Sequence, residues 1–182
     1  MKADGLKPDR VAYNALIGAG LASDRPAEVF DLWLEMCQSN NEKVSPDIVT
    51  LTEVIQSLDG AMGKDNRQKV DKVFAEAVAR GLILRNDSLD TSWEFDLSNM
   101  SLPVARAACR FIFQQITESY VEDEADVKDL ALITGASRMR EYIREVLQDE
   151  LKPPIYCIVP KLEQGTLQVK EKVIRNYLVD KI

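Results

Sequence analysis

From Asp9 onward the apolar residues recur every three or four positions, the spacing of amphipathic helices. Val11, Ala15, Leu16 and Ala19 predict one apolar stripe on a first helix. Ala22-Ser23-Asp24-Arg25-Pro26 reads as a turn, with Pro26 near the start of a second helix. There Val29, Leu32, Trp33 and Met36 fall at i, i+3, i+4 and i+7, which predicts the core of a hairpin. After the polar loop Ser39-Asn40-Asn41-Glu42, a third helix is expected around Leu51, Val54, Ile55 and Leu58. A turn over Gly60–Asn66 leads to a fourth helix built on Val70, Val73, Phe74, Ala77 and Val78, which Gly81 closes.

These helices repeat. Lys7-Pro8-Asp9-Arg10-Val11-Ala12-Tyr13-Asn14 returns 38 residues later as Ser45-Pro46-Asp47-Ile48-Val49-Thr50-Leu51-Thr52. In each copy the Asp is placed to cap the new helix, and the Pro ends the connection before it. Self-similarity at this spacing predicts stacked helical hairpins. Met1–Asp9 reads as the tail of an earlier repeat, since Glu35-Met36-Cys37-Gln38 likewise leads through a polar loop to Pro46-Asp47.

Arg85–Thr91 is polar and unpatterned, and the period changes beyond it. Ser92–Leu97 predicts a strand, and Ser101 a cap for a helix carrying Ala105, Ala108, Cys109, Ile112 and Ile116. An acidic loop, Glu122–Asp126, precedes a strand at Leu130–Thr134, and Gly135 turns into a helix running to about Glu150. Pro153-Pro154 ends it, a buried strand follows at Ile155–Val159, then a fourth strand at Gly165–Val169 and a last helix. The expected fold is therefore α plus α/β: a short helical-hairpin solenoid over 1–86, its first repeat truncated, then a two-layer β-α-β-α-β-β domain over 92–182.

Composition narrows the chemistry. A net charge of -7 disfavours nonspecific affinity for phosphate backbones, so any nucleic-acid contact must be local. There is no histidine, which removes the commonest general base and transition-metal ligand. Three scattered cysteines, Cys37, Cys109 and Cys157, predict reduced, buried thiols and no zinc site. No apolar run approaches the ~20 residues of a membrane span.

Residues 9–83 resemble pentatricopeptide repeats, through Val11-Ala12-Tyr13-Asn14-Ala15-Leu16-Ile17 closing with Val44-Ser45-Pro46-Asp47. Residues 93–179 resemble a small MutS-related (SMR) domain, through Phe95-Asp96-Leu97-Ser98, Val104-Ala105-Arg106, Leu132-Ile133-Thr134-Gly135 and Ile158-Val159-Pro160 with Gly165. The pair is similar to the family of plant and algal organelle proteins that join these two parts and act on RNA. The resemblance implies single-stranded RNA as partner, a plastid or mitochondrial location, and no membrane or small-molecule cofactor. It makes Asn14 and Asp47 a base-contacting pair favouring uracil, with Thr52 the equivalent of Asn14 and Arg85 its closing partner. An amide and a carboxylate do supply the donors and acceptors that a base edge needs. The alternative is that Asn14 and Thr52 are solvated helix residues and Asp47 only a cap.

In the second half, the family's Leu-Asp-x-His element is Phe95-Asp96-Leu97-Ser98, and its Thr-Gly-x-Gly loop is Thr134-Gly135-Ala136-Ser137. A serine in the histidine's place is a poor proton carrier at neutral pH, which favours binding without cleavage. The Thr134, Gly135 and Ser137 turn offers backbone N–H groups to phosphate, and Arg138, Arg140 and Arg144 follow it. Lys161, Lys170 and Lys172 extend that patch if they lie nearby, and Glu141 and Glu145 are on hand to neutralise it. Three functions stay open: an RNA-binding protein whose SMR domain adds phosphate contacts; a repeat-guided endoribonuclease in which Asp96 helps to hold magnesium; and a scaffold for protein partners in an organellar gene-expression complex. Only the second calls for a metal or for a catalytic residue.

Overall fold

A computed structural model describes residues 8–61, 64–84, 93–123 and 126–181, and the chain divides into two compact units, Met1–Ile83 and Leu84–Ile182. Arg85–Thr91 and Met1–Lys7 lie outside the described residues, as do Ser92 and, in the acidic loop, Glu124 and Ala125. The described part is mostly helical, with seven helices and one three-stranded sheet. None of these helices is long and apolar enough to cross a membrane.

The first unit holds two consecutive helix pairs, α1 (Arg10–Ala22) with α2 (Pro26–Gln38), and α3 (Ile48–Gly60) with α4 (Lys64–Ala79). Asp9 caps α1 by accepting the Ala12 N–H at 3.0 Å. Asp47 caps α3 more fully. Its carboxylate accepts the Thr50 N–H, while the Thr50 hydroxyl accepts the Asp47 N–H, a reciprocal capping box. Pro26 opens α2, where its missing N–H costs nothing. Gly81, at φ +70°, ends α4: its N–H donates to Val78 and that of Leu82 to Ala77. The turn expected over Gly60–Asn66 is shorter, because α4 already begins at Lys64.

Helix α3 is the hub, packing against α1, α2 and α4. Leu51, Val54, Ile55 and Leu58 are all buried, as are Val70, Val73, Phe74, Ala77 and Val78 of α4. The stripe expected on α1 is not the buried one. Tyr13, Ile17 and Gly20 face inward, whereas Val11 is 75% and Leu16 51% exposed, with Ala15 and Ala19 also outside. Gly20 explains the choice: a Cβ there would lie 2.6 Å from Val29 Cγ2, so the glycine permits the close approach of α1 and α2. In α2, Val29, Trp33 and Met36 are buried as expected, but Leu32 is only half-buried. Leu16, Ala19 and Leu32 instead line an open groove of about 470 Å³, rimmed by Glu28, Asp31 and Glu35.

In the second unit the order is β1 (Glu94–Asp96), α5 (Leu102–Asp123), β2 (Leu130–Ile133), α6 (Ser137–Asp149), β3 (Thr166–Val169) and α7 (Glu171–Val179). Strands β1 and β2 run parallel, with Phe95 opposite Leu132; β2 and β3 run antiparallel, with Leu132 opposite Leu167. A parallel neighbour requires a crossover, which α5 supplies. The buried strand expected at Ile155–Val159 does not form: this segment pairs only once, Ile158 with Gln168, through two backbone hydrogen bonds of 2.8 and 2.9 Å. Ile155 is buried, but Tyr156 and Ile158 are exposed. Prolines at 153, 154 and 160 remove ladder donors on both sides and keep the pairing to a single bridge.

The core of this unit is the apolar face of α5, from Val104 through Cys109 to Ile116, with Leu130, Leu132, Ile143, Leu147, Leu167 and Ile174. Arg106 and Arg110 of α5 both hold Glu150, which ties the end of α6 to that helix. Ser101 precedes α5 and its carbonyl accepts the Ala105 N–H, yet its hydroxyl makes no hydrogen bond, so the expected side-chain cap is not made. Helix α7 is capped from a distance: Asp129 accepts the Glu171 N–H and pairs with Lys170, each at 2.8 Å. All three cysteines are free thiols, and burial raises each above its ordinary pKa, Cys109 to about 12.

Candidate nucleic-acid interface

The family resemblance implies that Asn14 and Asp47, 33 residues apart, serve one site, and the fold brings them together. Asn14 lies one turn into α1 and Asp47 at the start of α3, two helices in contact. Asn14 Nδ2 donates to Asp47 Oδ1 at 3.4 Å, and Thr50 Oγ1 lies 2.7 Å from Asn14 Oδ1. Arg10 reaches the other carboxylate oxygen of Asp47 at 3.5 Å. Burial pulls the Asp47 carboxyl upward, but the Thr50 N–H and hydroxyl, the Asn14 amide and the Arg10 guanidinium outweigh it. The net result is a carboxyl held below its ordinary pKa, ionised throughout the neutral range. Burial, followed by the charge of Asp47, raises nearby Glu53.

Asp47 is thus a helix cap and a partner of Asn14 at once; the two roles use the same carboxylate. Thr52 stands apart, its hydroxyl bonded back to the Ile48 carbonyl at 2.8 Å, and Arg85 lies outside the described residues. Sequence reasoning missed four contributors. Thr50 and Arg10 complete the polar cluster, and Val11 with its repeat equivalent Val49 stands exposed, at 75% and 51%. Val11 is three residues before Asn14, as Val49 is before Thr52, so each valine shares a helix face with its polar residue. The repeat alignment held that signal: an apolar residue opening both first helices at a position outside the buried face.

In the second unit, Asp96 at the end of β1 is exposed and accepts from the Ser98 hydroxyl at 2.6 Å and the Ser98 N–H at 2.8 Å. Those two bonds, the hydroxyl first, lower its pKa. Gly135 approaches this turn so closely that a Cβ on it would lie 3.2 Å from Ser98 Cβ, and Gly165 packs in turn against the Gly135 backbone. The three loops therefore meet at one end of the sheet, where β1 and β2 finish and antiparallel β3 begins. No cluster of three or more metal-ligating side chains occurs among the described residues.

The phosphate cradle expected at Thr134 and Gly135 is filled by the protein itself. The Gly165 carbonyl accepts the Thr134 N–H, the Thr134 hydroxyl and the Gly135 N–H, at 2.7, 2.9 and 3.0 Å. Thr134 is fully buried. Arg140 donates to the Gln164 carbonyl and lies 3.7 Å from Glu141, and Arg144 pairs with Glu141 at 2.5 Å. Ser137 and Arg138 remain exposed on the first turn of α6. Lys170 belongs to the Asp129 cap, whereas Lys161 and Lys172 are exposed. Of the basic set, Arg138 is the arginine open to solvent.

No family model, curated protein or solved structure matches the chain.

Proposed function

We propose that this chain is an RNA-binding protein of the pentatricopeptide and SMR type, working on plastid or mitochondrial RNA. Its helical unit contacts single-stranded RNA through Asn14, Asp47 and Thr52, and its second unit adds phosphate contacts without cutting. One observation carries the proposal: Asn14 and Asp47, assigned to one base by the family resemblance, lie within hydrogen-bonding distance across two helices. The amide and carboxylate present a donor and an acceptor together, and exposed Val11 offers an apolar surface one turn away for the face of a base. Exposed Arg138 gives local positive charge on an acidic chain, so binding should be salt-sensitive but shallow in slope.

The test is fluorescence anisotropy with labelled rU12 and rA12, titrated across salt with magnesium present, the same samples then run on a denaturing gel. Salt-sensitive binding of rU12 that weakens in Asn14→Ala, with RNA intact on the gel, is the expected result. No binding at low salt would sink the proposal, and cleaved RNA would replace a binder with a nuclease.

A further inference from the structure

Resting on the RNA-binding proposal, the geometry points to Thr50 as a positioning residue: its buried hydroxyl fixes which end of the Asn14 amide meets the base, and so selects bases with a keto edge. Thr50 is fully buried and cannot itself touch RNA. Its oxygen accepts the Asp47 N–H at 3.2 Å and has a single proton to give. Two acceptors are in reach, Asn14 Oδ1 at 2.7 Å and Asp47 Oδ1 at 3.0 Å. Asp47 Oδ1 already receives the Thr50 N–H and the Asn14 amide, so the hydroxyl proton goes to the nearer, otherwise unserved oxygen of Asn14.

The opposite amide orientation is disfavoured. Turned over, Asn14 would set its Oδ1 against the ionised Asp47 Oδ1, acceptor against acceptor, and would leave the Thr50 proton facing an NH2 group. The lock therefore holds Oδ1 inward and leaves one Nδ2 hydrogen for a ligand. Beside it, Asp47 Oδ2 offers an acceptor, with Arg10 at 3.5 Å. A donor next to an acceptor complements the O4 and N3–H edge of uracil, or O6 and N1–H of guanine. It mismatches the amino edges of cytosine and adenine, where the order is reversed.

The experiment compares dissociation constants for rU12 and rC12, pyrimidines that differ at this edge, with the full chain carrying Thr50→Val or Thr50→Ser. The wild type should prefer rU12. Thr50→Val should lower the rU12 to rC12 preference by about two- to tenfold, the weight of one neutral hydrogen bond. Thr50→Ser, which keeps the hydroxyl, should preserve it. A purely structural role would weaken both RNAs equally and leave the ratio unchanged; that result overturns the lock while RNA binding stands. A wild type that binds neither RNA overturns both. Should Thr50→Val not fold, proton NMR of the unbound wild type decides. A slowly exchanging Thr50 hydroxyl signal with a cross-peak to the Asn14 side chain supports the lock, and its absence overturns it.

Discussion

Replacing Asp47 by alanine and by asparagine separates its two roles. Alanine removes the acceptor of the Thr50 N–H at 3.0 Å, the bond to Asn14 at 3.4 Å and the ion pair to Arg10 at 3.5 Å. Loss of a helix cap costs about 1 kcal/mol. The neutral bond to Asn14 adds about 0.5–1 kcal/mol. The Arg10 pair, with side chains 40% and 32% exposed, adds little, since solvent screens it to about 0.5 kcal/mol or less. Asp47→Ala should therefore destabilise the chain by about 2 kcal/mol, a melting shift of at least about 4 °C if the chain unfolds as one unit. Asparagine caps as well as aspartate and should cost about 0.5 kcal/mol. Because the Asp47 carboxyl is depressed in the folded state, its contribution is fully present above the unfolded value of ~3.9 and is lost as pH falls through the lower folded value. The gap between wild type and Asp47→Asn should accordingly close on acidification. Thermal melts by circular dichroism at pH 7 and across the acid range measure all of this. If asparagine proves as damaging as alanine at pH 7, the cap is not what Asp47 supplies, and the geometry argued for it is wrong.

Other substitutions test the packing. Ile17→Ala, in the fully buried face of α1, should cost about 2–4 kcal/mol, while Leu16→Glu on the exposed face should stay within about 0.5 kcal/mol; urea unfolding that reversed this order would put the wrong side of α1 inward. Gly135→Ala forces a Cβ onto a residue at φ +63°, 3.2 Å from Ser98, and should lose at least about 1–2 kcal/mol in the same assay. Asp129→Ala removes the distant cap of α7 and should cost about 1 kcal/mol, with amide exchange fastest at Glu171 and its neighbours.

What the sequence revealed depended on whether one face of an element outweighed the others. On α3 the large residues Leu51, Val54, Ile55 and Leu58 all point one way, and the expected face is the buried one. Helix α1 has two apolar faces, and periodicity alone prefers Val11, Ala15, Leu16 and Ala19. The deciding contact is Gly20 against Val29, where the absence of a side chain matters, and hydrophobicity patterns do not weigh that. Ile155–Val159 read as a buried strand because its composition is apolar, but strand formation also needs donors, and the flanking prolines withhold them. The Asn14–Asp47 pairing came from the family resemblance and not from the repeat, whose 38-residue register matches Asn14 with Thr52 and Asp9 with Asp47. The occupied cradle at Thr134 was not legible, because the carbonyl that fills it comes from Gly165, 31 residues away. Asp129, which caps a helix 42 residues on, was hidden for the same reason.

The most direct test of the RNA-binding proposal is a 15N-resolved NMR titration of the full chain with rU12, following backbone and side-chain amides together. Binding at the Asn14–Asp47 cluster predicts the largest shifts at the Asn14 side-chain amide, with Val11, Val49 and Thr50 moving alongside. Shifts confined to Ser137–Arg144, or a spectrum that RNA leaves unchanged at low salt, would contradict it.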